Sequence, residues 1–347
     1  MTAGMQHRIA VLGAGAIGSS VGADLTKAGL DVTIVDQWPA HVEAMRSSGL
    51  HVVMSDEDLH VPVRACHLCD LAATNPVFDI VLLAAKSYDS PWLAPFIKPY
   101  LADDGVLVGV QNSMNDDLHA SIVGRGRTMG CVVELSAELF TPGHVHRNTP
   151  RGGTWFAVGE LDGTITPRAK EIQAIMRNVG KVDLPANIYG AKWTKLMVNS
   201  MTMGPFSLLG LRSGDALELP GIYEAAVRLG KETLAVGAAL GYRIEPVFGL
   251  RADEFAGSND EVLVTAMKTL LGHTGKRSRT APIHDRLKGR RTEMDYINGL
   301  VSRKGREVNV PTPCNDAVAE MARQINAGTL PMEAANFERF KQKIGMA

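Results

Sequence analysis

The stretch Ile9-Ala-Val-Leu12-Gly13-Ala14-Gly15-Ala16-Ile17-Gly18 limits the folds open to this chain more than any other segment. A short apolar run reads as a buried strand, and Ile17 to Ala28 reads as a helix stopped by Gly29. The three glycines between them have distinct uses. Gly13 permits the tight turn, Gly15 lets backbone approach a pyrophosphate, and Gly18 lets helix and strand pack closely. Ala14, Ala16 and Ile17 complete the loop and open the helix, whose first amides and positive dipole end suit phosphate. With 35 glycines in 347 residues such spacing arises by chance, so the strand–turn–helix context is what gives it weight.

Asp36 ends the next strand candidate, Val32–Val35. An acid there can accept both ribose hydroxyls of NAD and repels a 2′-phosphate, which favours NADH over NADPH. The competing role is a cap on the turn Gln37-Trp38-Pro39. Ala40–Ser47 follows as a helix, and Ile80–Ala84 and Val106–Val110 are further buried strands. Continuous apolar strands alternating with helices call for a parallel sheet covered on both faces. Between 128 and 182, Cys131–Leu135 and Thr154–Val158 read as strands flanking a Gly/Pro-rich connection, with a helix over Pro167–Arg177. Beyond Asn187 the chain reads as helical, punctuated by Gly204, Gly210, Gly214 and Gly221, with 272–281 as a basic loop. The expected fold is an N-terminal α/β Rossmann-type doubly wound sheet (1–186) for the dinucleotide. An all-α C-terminal domain (187–347) would carry substrate binding and catalysis.

Composition narrows the partners. Thirty-six basic and 37 acidic residues nearly cancel, so there is no sequence-wide electrostatic case for nucleic acid or a membrane surface. No stretch approaches the roughly 18 apolar residues of a membrane span, and the first apolar run is too short for a secretion signal. Four cysteines fit a reducing cytoplasm. Cys66-His-Leu-Cys69 has the spacing of a metal or redox site, but a zinc site needs a second ligand pair, and His144 with His146 does not supply one; no metal is expected.

Trp193-Thr-Lys195-Leu-Met-Val-Asn199-Ser200 places an ammonium and a carboxamide one helical turn apart among apolar residues. Partial desolvation would lower the lysine pKa and suit it to proton transfer near neutrality. The plain alternative is a surface lysine, which is the role expected for Lys192. Glu293 and Asp295 are possible partners. On a helix Glu293 shares a face with Tyr296, Ile297 and Leu300, so its carboxylate would point partly inward; the plain alternative is a solvated helix start with Thr292 as N-cap and the acids in its first turn. Lys86 and Asn112 each follow a strand, where ligands of parallel sheets bind, although lone residues there are commonly turn formers.

Gly13-Ala-Gly-Ala-Ile-Gly18, Lys86-Ser-Tyr-Asp89, Gln111-Asn112, Asn187-Ile with Trp193-x-Lys195-Leu-x-x-Asn199, and Thr292-Glu-x-Asp-Tyr-Ile-Asn-Gly299 together make the chain resemble the ketopantoate reductase (2-dehydropantoate 2-reductase) family over nearly its whole length. The resemblance implies NAD(P)H-dependent reduction of a 2-keto acid in an interdomain cleft, a place in pantothenate biosynthesis, and a homodimer. Lys195 would protonate the carbonyl oxygen, Asn112 would lie between cofactor and substrate, Asn199 would bind substrate, and Glu293 would sit by the ribose and the lysine. Three positions depart from the pattern. Met203 stands where an asparagine is usual, Ala281 where a serine is frequent (Ser278 and Thr280 are nearby), and Ser113 where the Gln-Asn turn ends in glycine. A substrate less polar than ketopantoate is therefore expected. Two other readings are a 3-hydroxyisobutyrate- or 6-phosphogluconate-dehydrogenase-like enzyme, which shares a Lys-x-x-x-Asn helix, and an NAD(P)-sensing protein without turnover. The Thr292–Gly299 segment speaks against the first, and retention of Lys195, Asn199 and Glu293 against the second.

Overall fold

The computed structural model describes residues 7–245, 260–261, 263–265, 267–268 and 279–346. Its contacts divide the chain into two units: 1–111 with 115–188, and 112–114 with 189–347.

Among the described residues the first unit holds twelve strands: β1 (Arg8–Leu12), β2 (Asp31–Asp36), β3 (Leu50–Val53), β4 (Asp58–Val61), β5 (Arg64–His67), β6 (Phe78–Leu83), β7 (Leu101–Val110), β8 (Thr128–Glu134), β9 (Ala137–Thr141), β10 (His144–Arg147), β11 (Trp155–Glu160) and β12 (Lys181–Asp183). Eight of them form one sheet in the order β12-β11-β8-β7-β6-β1-β2-β5. Every pairing in it is parallel except β8 with β11. Alternation along β1 shows why the sheet is covered on both sides. Ile9 and Val11 enter one apolar cluster, while Ala10 and Leu12 enter another on the opposite face. The helices are α1 (Ala16–Lys27), α2 (Pro39–Ser48), α3 (Asp70–Thr74), α4 (Ser90–Ile97), α5 (Asp116–Val123) and α6 (Pro167–Met176). The last starts where the Thr166 hydroxyl accepts from the Ala169 amide and Pro167 occupies the first turn. From β1 the chain goes to β2 on one side and later to β6 on the other. The strand order therefore reverses at β1, where ligands of open α/β sheets bind.

Sequence alone did not foresee the segments β3 to β5, or that the connection after β8 is itself pleated. Strands β9 and β10 join β3 and β4 in a second sheet, ordered β4-β3-β10-β9. These strands are short, and β10 pairs with β3 across about ninety residues (His144 with His51). No local periodicity announces such pairing.

The second unit contains α7 (Ile188–Leu209), α8 (Ser213–Leu217), α9 (Ile222–Ala239), α10 (Ala281–Leu287), α11 (Asn298–Glu307), α12 (Pro313–Ala327) and α13 (Asn336–Lys343). Its apolar core runs through Trp193, Leu196, Met197, Met201 and Phe206 of α7 and their partners on α9, α11, α12 and α13. Every residue from Ala191 to Ser200 is buried, so α7 is packed on all sides. Trp193 fits because α9 offers Gly237, where a Cβ would lie 2.1 Å from the indole nitrogen; that nitrogen donates to the Thr233 carbonyl at 3.0 Å. Gly204 does not interrupt α7, whereas Gly210, at φ 68°, follows its end. Of the expected loop 272–281, residues 272–278 lie outside the described residues, and Ala281 begins α10.

Candidate active site

In the first unit the glycine-rich turn sits at the carboxyl end of β1, against the end of β6. Gly13 has φ 95°, and a Cβ there would lie 2.7 Å from the Ala85 amide nitrogen. At Gly18 a Cβ would fall 1.9 Å from the Gly13 carbonyl oxygen, so helix and turn touch backbone to backbone. Around Gly15 nothing stands within 4 Å of that position, and no side chain caps α1. An open approach beside uncapped helical amides is what a pyrophosphate requires, so the loop fits a dinucleotide.

Two buried side chains hold Ala14 from either side. The Asp36 carboxylate accepts from the Ala14 amide at 2.5 Å and from the Trp38 amide at 2.7 Å. Thus Asp36, 9% exposed, does cap the turn after β2 and also ties the glycine loop to it. Each oxygen keeps a second lone pair for a ribose hydroxyl. The Ser19 hydroxyl donates to the Ala14 carbonyl at 2.9 Å and lies 3.1 Å from His41 Nε2. Because His41 Nδ1 accepts from the Gly143 amide at 2.9 Å, that nitrogen is unprotonated, and a neutral ring presents Nε2–H to Ser19. Sequence reasoning missed His41, since its partners lie 22 and 102 residues away.

The ends of β6 and β7 are locked together. The Gln111 amide donates to the Ala85 carbonyl at 2.6 Å, and its oxygen accepts from Ser90 Oγ at 3.1 Å and Asn115 Nδ2 at 3.3 Å. Asn115 Nδ2 also reaches Ser87 Oγ at 3.0 Å. Lys86, half-buried, precedes the short turn Ser87–Asp89 on this frame.

In the second unit Lys195 is 7% exposed and Asn199 fully buried. Asn199 Nδ2 donates to Asn112 Oδ1 at 2.9 Å, so two residues 87 apart in sequence form one carboxamide pair. Asn199 Oδ1 is buried without a hydrogen-bond partner among the described residues. Lys192 corrects the expectation of a surface lysine: it is 4% exposed, because all of this stretch of α7 is enclosed. Glu293 is buried, at 8% exposed, but not as part of a continuous helix. It precedes a single 3-10 turn, Met294–Tyr296, and α11 begins only at Asn298. Thr292 does not cap that turn; its amide donates to Asn326 Oδ1 at 2.8 Å. Met203 is half-buried against the apolar core, and the Thr280 hydroxyl next to Ala281 is buried without a partner among the described residues.

Behind α7 a polar chain was also missed. Glu232 accepts from the Cys314 and Asn315 amides at 2.8 and 2.9 Å, capping α12 from α9. Asn315 Oδ1 accepts from Asn298 Nδ2 at 2.8 Å, and Asn298 Nδ2 also reaches the Ser200 carbonyl at 3.3 Å. The Asn298-Gly299 of the sequence motif thus braces the backbone beside Asn199.

Cys66 and Cys69 are free thiols, and burial pushes Cys66 up to about 11, so it holds its proton at neutral pH. Among the described residues no group of three or more His, Cys, Asp or Glu is placed to hold a metal, and no helix is long and apolar enough to cross a membrane.

A parallel sheet with this turn at its switch point, in one chain with a helical unit that buries a lysine beside paired carboxamides, defines an oxidoreductase of the Rossmann class. Comparison with known proteins agrees. Residues 9–161 match the family described as ketopantoate reductase PanE/ApbA, and 187–326 match its C-terminal counterpart. The 2-dehydropantoate 2-reductase of Archaeoglobus fulgidus is 26% identical over 327 residues, covering 93% of this chain and 99% of that one. A PanE/ApbA family ketopantoate reductase structure from Ralstonia eutropha superposes with a TM-score of 0.75 at 26% identity, covering 92% and 98% of the two chains. D-mandelate dehydrogenase with NADH and anilino(oxo)acetate superposes at 0.79 with 20% identity over 92% and 98%, a likeness of fold. The chain belongs to the ketopantoate reductase family.

Proposed function

We propose that this protein reduces a 2-keto acid to the corresponding 2-hydroxy acid at the expense of NADH. The two domains divide the work: 1–186 binds the dinucleotide and 187–347 binds and protonates the substrate. When bound, the reduced nicotinamide would supply the hydride that becomes the new C–H bond at the carbonyl carbon. Gly13 to Gly18 would hold its pyrophosphate, Asp36 its ribose, and Lys86, Asn112 and Glu293 its nicotinamide side. As the carbonyl is reduced, negative charge gathers on its oxygen. The Lys195 ammonium stabilises that charge and donates the proton that makes the hydroxyl. Asn199 and Asn112 orient the acid, and Glu293 attends the lysine and the ribose.

The observation that carries this reading is the Asn199–Asn112 hydrogen bond beside a buried Lys195. It pairs a residue 87 positions earlier in the chain with the helix that carries Lys195. The substrate side lacks two polar groups common in the family, at Met203 and Ala281, which supports a 2-keto acid less polar than ketopantoate. Family membership supports a homodimer, and the free cysteines support a cytoplasmic enzyme.

The test is NADH and NADPH oxidation measured against ketopantoate and a panel of 2-keto acids. We expect a higher kcat/KM with NADH than with NADPH, and with an apolar 2-keto acid than with ketopantoate. Equal or better use of NADPH would remove the role given to Asp36, and efficient ketopantoate reduction would remove the substrate assignment. Binding of NADH with no carbonyl substrate reduced would overturn the enzyme reading in favour of a sensor.

A further inference from the structure

Residues 112–114 leave the end of β7 and belong by their contacts to the helical unit. Each is fastened there differently. Asn112 accepts from Asn199, and Met114 packs against the apolar core. Ser113, buried, donates its hydroxyl to the Tyr296 carbonyl at 2.5 Å. Tyr296 closes the turn after Glu293, and its amide donates to the Glu293 carbonyl at 2.8 Å. A chain of two hydrogen bonds therefore runs from Ser113 to the backbone of Glu293. Ser113 also adopts φ 79°, a left-handed conformation that disfavours any residue with a Cβ. Glycine would sit there without strain. A serine in that conformation, using its hydroxyl across 183 residues, is doing more than turning the chain.

We infer that Ser113 is a positioning residue of the active site. Its hydroxyl clamps the Asn112 loop to the Glu293 turn and so fixes the Asn112–Asn199 pair that orients the substrate. This rests on the 2-keto acid reductase reading, and it accounts for the departure from glycine at this position: the conformational cost is offset by a bond that glycine cannot make.

The test compares Ser113→Ala, which loses the hydroxyl and keeps the strain, with Ser113→Gly, which loses both. If the hydroxyl positions Asn112, both variants fall ~10-fold in kcat/KM for the 2-keto acid, the scale of one lost hydrogen bond, with the loss mainly in kcat. The Kd for NADH changes by less than kcat/KM for the 2-keto acid, since the contacts assigned to the glycine loop and Asp36 are untouched. Ser113→Gly should melt at or above Ser113→Ala. Wild-type kcat/KM in Ser113→Gly, or activity that merely follows melting temperature, overturns the proposal. If the wild type reduces no 2-keto acid, the reductase reading fails on its own. Amide hydrogen exchange then decides the clamp: faster exchange across 112–114 and 293–296 in both variants upholds it, and unchanged exchange overturns it.

Discussion

Lys195 and Lys192 are three residues apart on one buried helix, yet composition and spacing separate them poorly. Both are enclosed because α7 has neighbours on every side, and a buried ammonium persists only where its surroundings compensate for lost water. What distinguishes Lys195 is the position of Asn199 one turn further along the same face, paired to Asn112. Replacing Lys195 with Met keeps the bulk and removes the proton. We expect kcat to fall by about 10²–10⁴-fold, the usual worth of a general acid, while the NADH Kd stays within a few-fold. Stopped-flow hydride transfer with NADH fluorescence titration measures the two separately, and an unchanged kcat would remove Lys195 from the chemistry. At this scale, residue identity was legible and environment was not. Asp36 reads as a ribose ligand or a turn cap, and its carboxylate already serves the turn while holding the glycine loop.

Elements were legible in proportion to how locally they are determined. The strand–turn–helix of β1, Gly13–Gly18 and α1 follows from steric rules that act within a few residues. Gly18 is the sharpest instance, because its missing Cβ is filled by the Gly13 carbonyl. Gly18→Ala should therefore displace the start of α1. We expect at least a ~10-fold weaker Kd for NADH and a loss of about 1–3 kcal/mol in stability, the cost of overpacking. Titration and denaturant melts check both, and tight NADH binding by the variant would contradict the assigned loop. By contrast, a continuous helix through Glu293 is a reasonable extrapolation of apolar spacing that the chain does not follow. A 3-10 turn intervenes, and Tyr296 faces its carbonyl to Ser113. Periodicity registers which residues turn inward; it does not register a break whose backbone groups are satisfied by a distant side chain.

At the scale of the whole molecule, the proposed function assigns the dinucleotide to the first unit and the acid to the second. Anything that binds only the folded state stabilises it by mass action. At NADH concentrations 100-fold above Kd, the gain is about 2.7 kcal/mol, which for a domain of this size raises the melting midpoint by about 5–11 °C. Calorimetry with and without NADH checks this; no shift would mean that the glycine loop is not a dinucleotide site. The sequence alone determined the doubly wound sheet, the helical second half and the family, because each rests on patterns held within tens of residues: alternation, glycine spacing, an acid at a strand end and two polar motifs. Only the tertiary structure decided that α7 is enclosed, that the segment after β7 belongs to the helical unit, and that Asn112 meets Asn199. Those outcomes depend on pairings between residues 87 to 183 apart. Such contacts form only when the packing of the helical unit has excluded water around them, and no local preference encodes them.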